Sequence, residues 1–211
     1  MRHPAILKPD ESRQPQPQPT HIYSSLTSDS SIRLLELQPG APSQPIECRL
    51  FIVDLASDPI YEAISYEWGD PSKTTSITCD GKHRSVRMNL ELALRSFRKP
   101  SESRVLWIDA LCINQDDDME KSHQVAMMGD IYRKAKTGLA WLGPDPQDQA
   151  QSACELMTQI VSVVTEHAKS FPISQLPRIK PDHPIFETNE SWNSLQHFSE
   201  LTYFRRTWIV Q

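Results

Sequence analysis

The sequence predicts an α/β domain, a parallel sheet flanked by helices. Three observations lead there. Arg104–Gln115 contains four apolar residues in a row, Val105 to Ile108, and a near-continuous apolar run suits a strand covered on both faces. Leu90, Ala93, Leu94 and Phe97 fall at i, i+3, i+4 and i+7, one face of a helix. Short apolar runs and helical stretches then alternate along the chain, and that alternation implies parallel strands with helices on their faces.

Taken in order, residues 1–30 read as a disordered tail. Arg13 to Thr20 alternates Gln and Pro, and Ser24 to Ser31 is rich in Ser and Thr. Such segments bury too little apolar surface to offset their conformational entropy. Residues 31–58 form an N-terminal β extension. Ile32–Leu37 is its first strand, Pro39-Gly40-Ala41-Pro42 a loop, and Ile46–Leu55 a second strand able to pair with the first as a hairpin.

The main domain is expected over 59–211. Ala63 to Tyr66 is a short strand, and Trp68-Gly69-Asp70-Pro71 is a turn, with Gly69 suited to a tight backbone. Ser76–Cys79 and Lys82–Val86 flank Asp80-Gly81, the signature of a small inserted hairpin with a type I′ turn. Asn89 is a good N-cap for the helix that Lys99 and Pro100 close. Asp116 to Asp118 suit the positive end of a further helix. Val125, Met128, Tyr132 and Ala135 form its apolar face, and Arg133, Lys134 and Lys136 sit in its last turn. The triple Asp lacks the ligand spacing of a calcium loop, so it reads as a cap. Gly138–Leu142 is another strand, Gln149–Lys169 contains a helix, Pro172–Pro184 is a loop, Trp192–Tyr203 is helical, and Thr207–Val210 is a last strand.

Composition narrows the function. The net charge of −5 and the pI near 5.8 argue against nucleic acid as a partner, which would select a basic face. No apolar run approaches the ~20 residues of a membrane span, and the N-terminus lacks a signal-peptide core. Cys48, Cys79, Cys112 and Cys154 are scattered without zinc-ligand spacing, so reduced thiols in a cytoplasmic protein and no metal are expected.

The place to look for a site is the end of the central strand, because ligands in open α/β sheets sit outside the carboxyl ends of strands. There Asp109 interrupts an apolar run, and a carboxylate so placed must be paired, hydrogen-bonded or at the strand's mouth. Asn114 and Gln115 follow with donors and acceptors. From spacing alone, the simpler reading is that Asp109 caps a loop or pairs with a nearby Arg, since structural ion pairs also place acids this way.

Several of these stretches together resemble the fungal heterokaryon incompatibility (HET) domain. Tyr61–Gly69 matches its Tyr-x-Ala-(apolar)-Ser-Tyr-x-Trp-Gly motif throughout, Asn89–Leu94 its Leu-rich helix, and Trp107–Gln115 its central Trp-Ile-Asp-x-(apolar)-Cys-Ile-Asn-Gln. Glu120, Gln124-Val125, Met128, Ile131-Tyr132 and Trp141-Leu142-Gly143 continue the pattern, with Lys121 in place of an Arg. Arg206, Trp208 and Gln211 match its closing motif. The resemblance implies non-self recognition and programmed cell death, through self-association or recruitment of another incompatibility or sensor protein. It also implies a fold similar to TIR domains, a flavodoxin-like arrangement with Ile64-Ser65-Tyr66 as first strand. Some TIR domains cleave NAD with a cleft carboxylate, so the second reading is an NAD glycohydrolase, with NAD as substrate and no resident cofactor. A glycosidic bond to a cationic leaving group needs a carboxylate beside an oxocarbenium-like state and aromatic walls around the base. Asp109 is the best catalytic candidate, ahead of Glu67 and Asp70. Ser65, Tyr66, Trp68, Gly69, Asn114, Gln115, Arg206 and Trp208 complete the expected cleft. The family's closing Glu would follow Gln211, so the chain is expected to be a truncated domain and a poor enzyme.

Overall fold

The computed structural model describes residues 23–145, 147–175, 178–180, 182–186 and 189–205. Its centre is one sheet of seven strands among the described residues: β1 (Ser31–Leu37), β2 (Glu47–Asp54), β3 (Glu62–Tyr66), β4 (Thr74–Cys79), β5 (Lys82–Arg87), β6 (Arg104–Trp107) and β7 (Thr137–Trp141). The helices are α1 (Met88–Phe97), the single turn α2 (Asp109–Cys112), α3 (Asp118–Lys134), α4 (Gln149–Ala168) and α5 (Asn189–Ser199). The strand order is β5-β4-β2-β1-β6-β3-β7.

The sheet is mixed, which corrects the expected parallel one. Strand β3 is parallel to β6 and β7, and β2 to β4. Strand β1 runs antiparallel to both its neighbours, and β4 antiparallel to β5. The reason is visible in β1, where every residue except Glu36 is buried. A central antiparallel strand covered on both faces carries the same apolar run as a parallel one. The run reports burial, not direction. β1 and β2 pair along their full length, from Ser31 opposite Asp54 to Leu37 opposite Cys48. Between β4 and β5, Asp80 (φ 51°) and Gly81 (φ 71°) both take the left-handed conformation that a type I′ turn requires.

Helix boundaries show two further corrections. The N-cap of α1 is Arg87, and Asn89 lies inside the first turn, where its amide donates to the Glu67 carbonyl (3.1 Å). In α3, Val125 is exposed, while Gln124 and Ile131 are buried. The buried row runs through Gln124, whose amide donates to the Ser31 carbonyl (3.0 Å), and polar Gln does not register in an apolar pattern. Asp117 caps α3 as the acidic stretch suggests, accepting from the amides of Met119 and Glu120 at 3.0 Å each.

The core gathers Leu34, Leu35, Ile64, Leu94, Leu106, Trp107 and Ile131, all at most 1% exposed. Trp107 meets Tyr132 edge-on with ring centroids 5.5 Å apart. Residues 23–30, read from sequence as part of the tail, lie against the domain: the Tyr23 hydroxyl donates to the Leu111 carbonyl (3.1 Å). Helix α5 begins and ends earlier than expected and is followed by a 3₁₀ turn at Thr202–Arg205. The expected strand at 207–210 and the first part of the expected tail, residues 1–22, lie outside the described residues.

Candidate functional site

The site begins with strand geometry. Strands β3 and β6 are parallel neighbours with Ala63 beside Trp107, so both chains leave the sheet at the same end. Past Tyr66 the β3 chain bends through Trp68 and Gly69. Past Trp107 the β6 chain coils into α2, which starts at Asp109. The polar turn expected after β6 is therefore a helical turn, with Leu111 and Cys112 buried on its inner side.

The two exits are tied together. The Trp68 indole Nε1–H donates to Asp109 Oδ2 (2.9 Å), and the Ala110 amide donates to Asp109 Oδ1 (2.8 Å). Gln115 Nε2 donates to the Asp109 carbonyl (2.9 Å) and so anchors the loop that leaves α2. The Arg87 guanidinium lies 5.1 Å from the Trp68 ring centre and donates to the Gly69 carbonyl (2.9 Å). Gly69 has φ 74°, and a Cβ there would come within 2.5 Å of Asn89 Nδ2.

A cavity of about 160 Å³ opens beside this junction, lined by Tyr66, Trp68, Arg84, Arg87, Leu90 and Gln115 among others. Of the expected site residues, Tyr66, Trp68 and Gln115 line this cavity, and Gly69 and Asp109 lie at the junction beside it. Other expected members turn elsewhere. Ser65 Oγ accepts from the Tyr203 hydroxyl (3.0 Å). The carboxylate of exposed Asp70 accepts from the amide (2.9 Å) and hydroxyl (2.7 Å) of Ser72, which hold it below the usual carboxylate range. Glu67 accepts from the Thr202 hydroxyl. The Asn114 side chain accepts from the Asp116 amide (3.3 Å) within its own loop. Arg206 and Trp208 lie outside the described residues.

Sequence reasoning missed three arginines. Arg84 lies within β5 and Arg87 at its end, and nothing in their local pattern marks them, since polar residues on an edge strand read as a solvated face. Arg33 could have been found. It sits inside the apolar run of β1 and is 2% exposed, and a buried guanidinium demands a carboxylate. That carboxylate is Glu120, engaged by both terminal nitrogens at 2.5 and 2.9 Å, and Glu120 Oε1 also accepts from the Asn114 amide (2.7 Å). Burial pushes the neighbouring Cys112 thiol up to about 12. Among the described residues, no cluster of His, Cys, Asp or Glu is suited to hold a metal ion.

Residues 61–211 match the family profile described as "Heterokaryon incompatibility protein (HET)". This chain belongs to the HET family. The matched span includes every element of the Trp68–Asp109 junction. The chain is also 30% identical to heterokaryon incompatibility protein 6, OR allele, of Neurospora crassa, over 90% of its own length and 33% of that protein's. It therefore spans about a third of that HET relative. No solved structure matches it.

Proposed function

We propose that this HET domain acts in fungal incompatibility as a binding module, associating with itself or recruiting another incompatibility or sensor protein in the cytoplasm to trigger cell death. The observation that carries this reading is the engagement of Asp109. Each of its oxygens accepts a hydrogen bond from a group that builds the fold, the Trp68 indole and the Ala110 amide. Its carboxylate pins the bend after β3 to the turn after β6, which is an architectural duty. In support, Val161 on α4 is 62% exposed and Phe171 45%, apolar side chains that an associating partner would cover. Among the described residues no helix is long and apolar enough to cross a membrane.

The second reading is a TIR-like NAD glycohydrolase on a flavodoxin-like fold. The feature in its favour is a carboxylate beside an indole at the carboxyl end of parallel strands, the elements such a reaction uses. NAD would then be substrate, and no resident cofactor is required. One preparation separates the two readings. Light scattering across a concentration series should show reversible association, and an assay for nicotinamide release should show no turnover that Asp109→Asn abolishes. Turnover dependent on Asp109 would overturn the binding-module reading.

A further inference from the structure

We infer that the cavity beside Trp68 is a binding site for a phosphoryl group, held between Arg84 and Arg87. Both side chains line the cavity. Arg84 Nη1 is buried and has no hydrogen-bond partner. A buried donor left unmade is costly, so the Arg84 guanidinium favours any ligand oxygen that can reach this nitrogen from the cavity. The other terminal nitrogen of Arg84 donates to the Tyr23 hydroxyl, and its guanidinium stacks 4.8 Å from the Tyr23 ring centre, which fixes the fork.

Charge points the same way. Among the described residues, no carboxylate oxygen lies within 4.0 Å of either Arg84 or Arg87, whereas Arg33, Arg49, Arg95, Arg104 and Arg133 each have one. Among the described residues, Arg87 stacks on the Trp68 ring and donates to the Gly69 carbonyl, with the Asp70 carboxylate near enough to feel its charge, and it keeps donors to spare. Leu90 in the first turn of α1 also lines the cavity, and the helix's N-cap, Arg87 itself, provides no side-chain cap. The Lys73 carbonyl accepts from the Met88 amide (2.9 Å), and the helix dipole favours an anion near the other first-turn amides. Asp109 is not among the lining residues, since its carboxylate is turned to the Trp68 indole.

Size selects the ligand. At about 160 Å³ the cavity is below the ~300–1,000 Å³ of sites that enclose a drug-sized molecule. It takes a phosphate or diphosphate head and leaves the remainder of the ligand outside. Two guanidinium groups lining one small cavity suit a phosphoryl group, which accepts from several donors at once. This site is separate from NAD cleavage and stands if no hydrolysis is found.

The test titrates the full chain with inorganic pyrophosphate and with ADP, by calorimetry and by nuclear magnetic resonance of the tryptophan indole N–H groups. A third arm measures sedimentation with phosphatidylcholine vesicles, with and without a phosphoinositide. The expected result is saturable binding that shifts the Trp68 indole resonance. Arg84→Gln and Arg87→Gln should each weaken it roughly ten- to a hundredfold, as loss of a charged hydrogen bond implies, and Arg49→Gln should leave it unchanged. Binding to ADP or pyrophosphate assigns a soluble ligand, and binding to phosphoinositide vesicles alone assigns a lipid head group. No saturable binding by any probe overturns the proposal. So does equal binding by both arginine variants. If Arg84→Gln loses its native circular dichroism, Arg87→Gln and the Trp68 resonance of the unmodified chain decide.

Discussion

At the residue scale, two short stretches fix the junction. Gly69 turns the chain with φ 74°, directly against the Asn89 amide that holds the Glu67 carbonyl. A methyl group there meets both a left-handed backbone and a 2.5 Å approach to Asn89 Nδ2. Gly69→Ala is therefore expected to lower stability by about 1–3 kcal/mol, read as a fall in the urea midpoint with an unchanged slope. The same variant should move the Trp68 indole, because Arg87 clamps the Gly69 carbonyl and the Trp68 face at once. Gly69 and Trp68 stand in a motif that sequence alone singles out. The Asn89 contact does not, because a good N-cap residue inside a helix's first turn has no periodic signature.

At the element scale, the decisive contact joins α3 to β1. Arg33 on the central strand reaches Glu120 in the first turn of α3, and Glu120 in turn holds the Asn114 amide of the α2–α3 loop. Arg33 is 2% exposed and Glu120 11%. Glu120→Gln leaves a buried guanidinium without its counter-charge and should cost about 3–5 kcal/mol. The exposed pair Arg49–Glu36 is the internal comparison: Arg49 is 65% exposed, and Glu36→Gln should change stability by about 0–1 kcal/mol. Equal effects at the two positions would show that burial does not set the strength of these pairs. Tyr23 extends the same arrangement outward, with the guanidinium groups of Arg33 and Arg84 each 4.8 Å from its ring centre.

At the scale of the whole molecule, burial in the core keeps the Tyr61 hydroxyl and the Cys112 thiol in their neutral form. Tyr61 is 1% exposed and donates to the Ile131 carbonyl (2.6 Å), and burial raises its hydroxyl from 10.0 to about 12. Burial likewise raises the Cys112 thiol from 9.0 to about 12. In both cases the folded chain keeps a proton that the unfolded chain gives up. Their stabilisation is complete below pH 9.0 and is lost as pH rises from there to about 12. Urea midpoints measured across that window should fall, and Tyr61→Phe should flatten the fall above pH 10.0 while lowering the baseline. A midpoint constant through the window would contradict the buried placement of both groups.

By itself the sequence determined the layered α/β class and the positions of most strands and helices, and it singled out Trp68 and Asp109 as residues to watch. Periodicity, turn residues and the acidic start of α3 are local signals, and they report local conformation and burial. Only the tertiary structure decided the direction of β1, the helical turn at Asp109–Cys112, the burial of Gln124 and the pairing of Arg33 with Glu120. It alone brought Arg84 and Arg87 to one cavity with Tyr66 and Trp68. Apolar runs look alike in parallel and antiparallel strands, and a polar side chain shows its partner only when distant segments of the chain are folded against it.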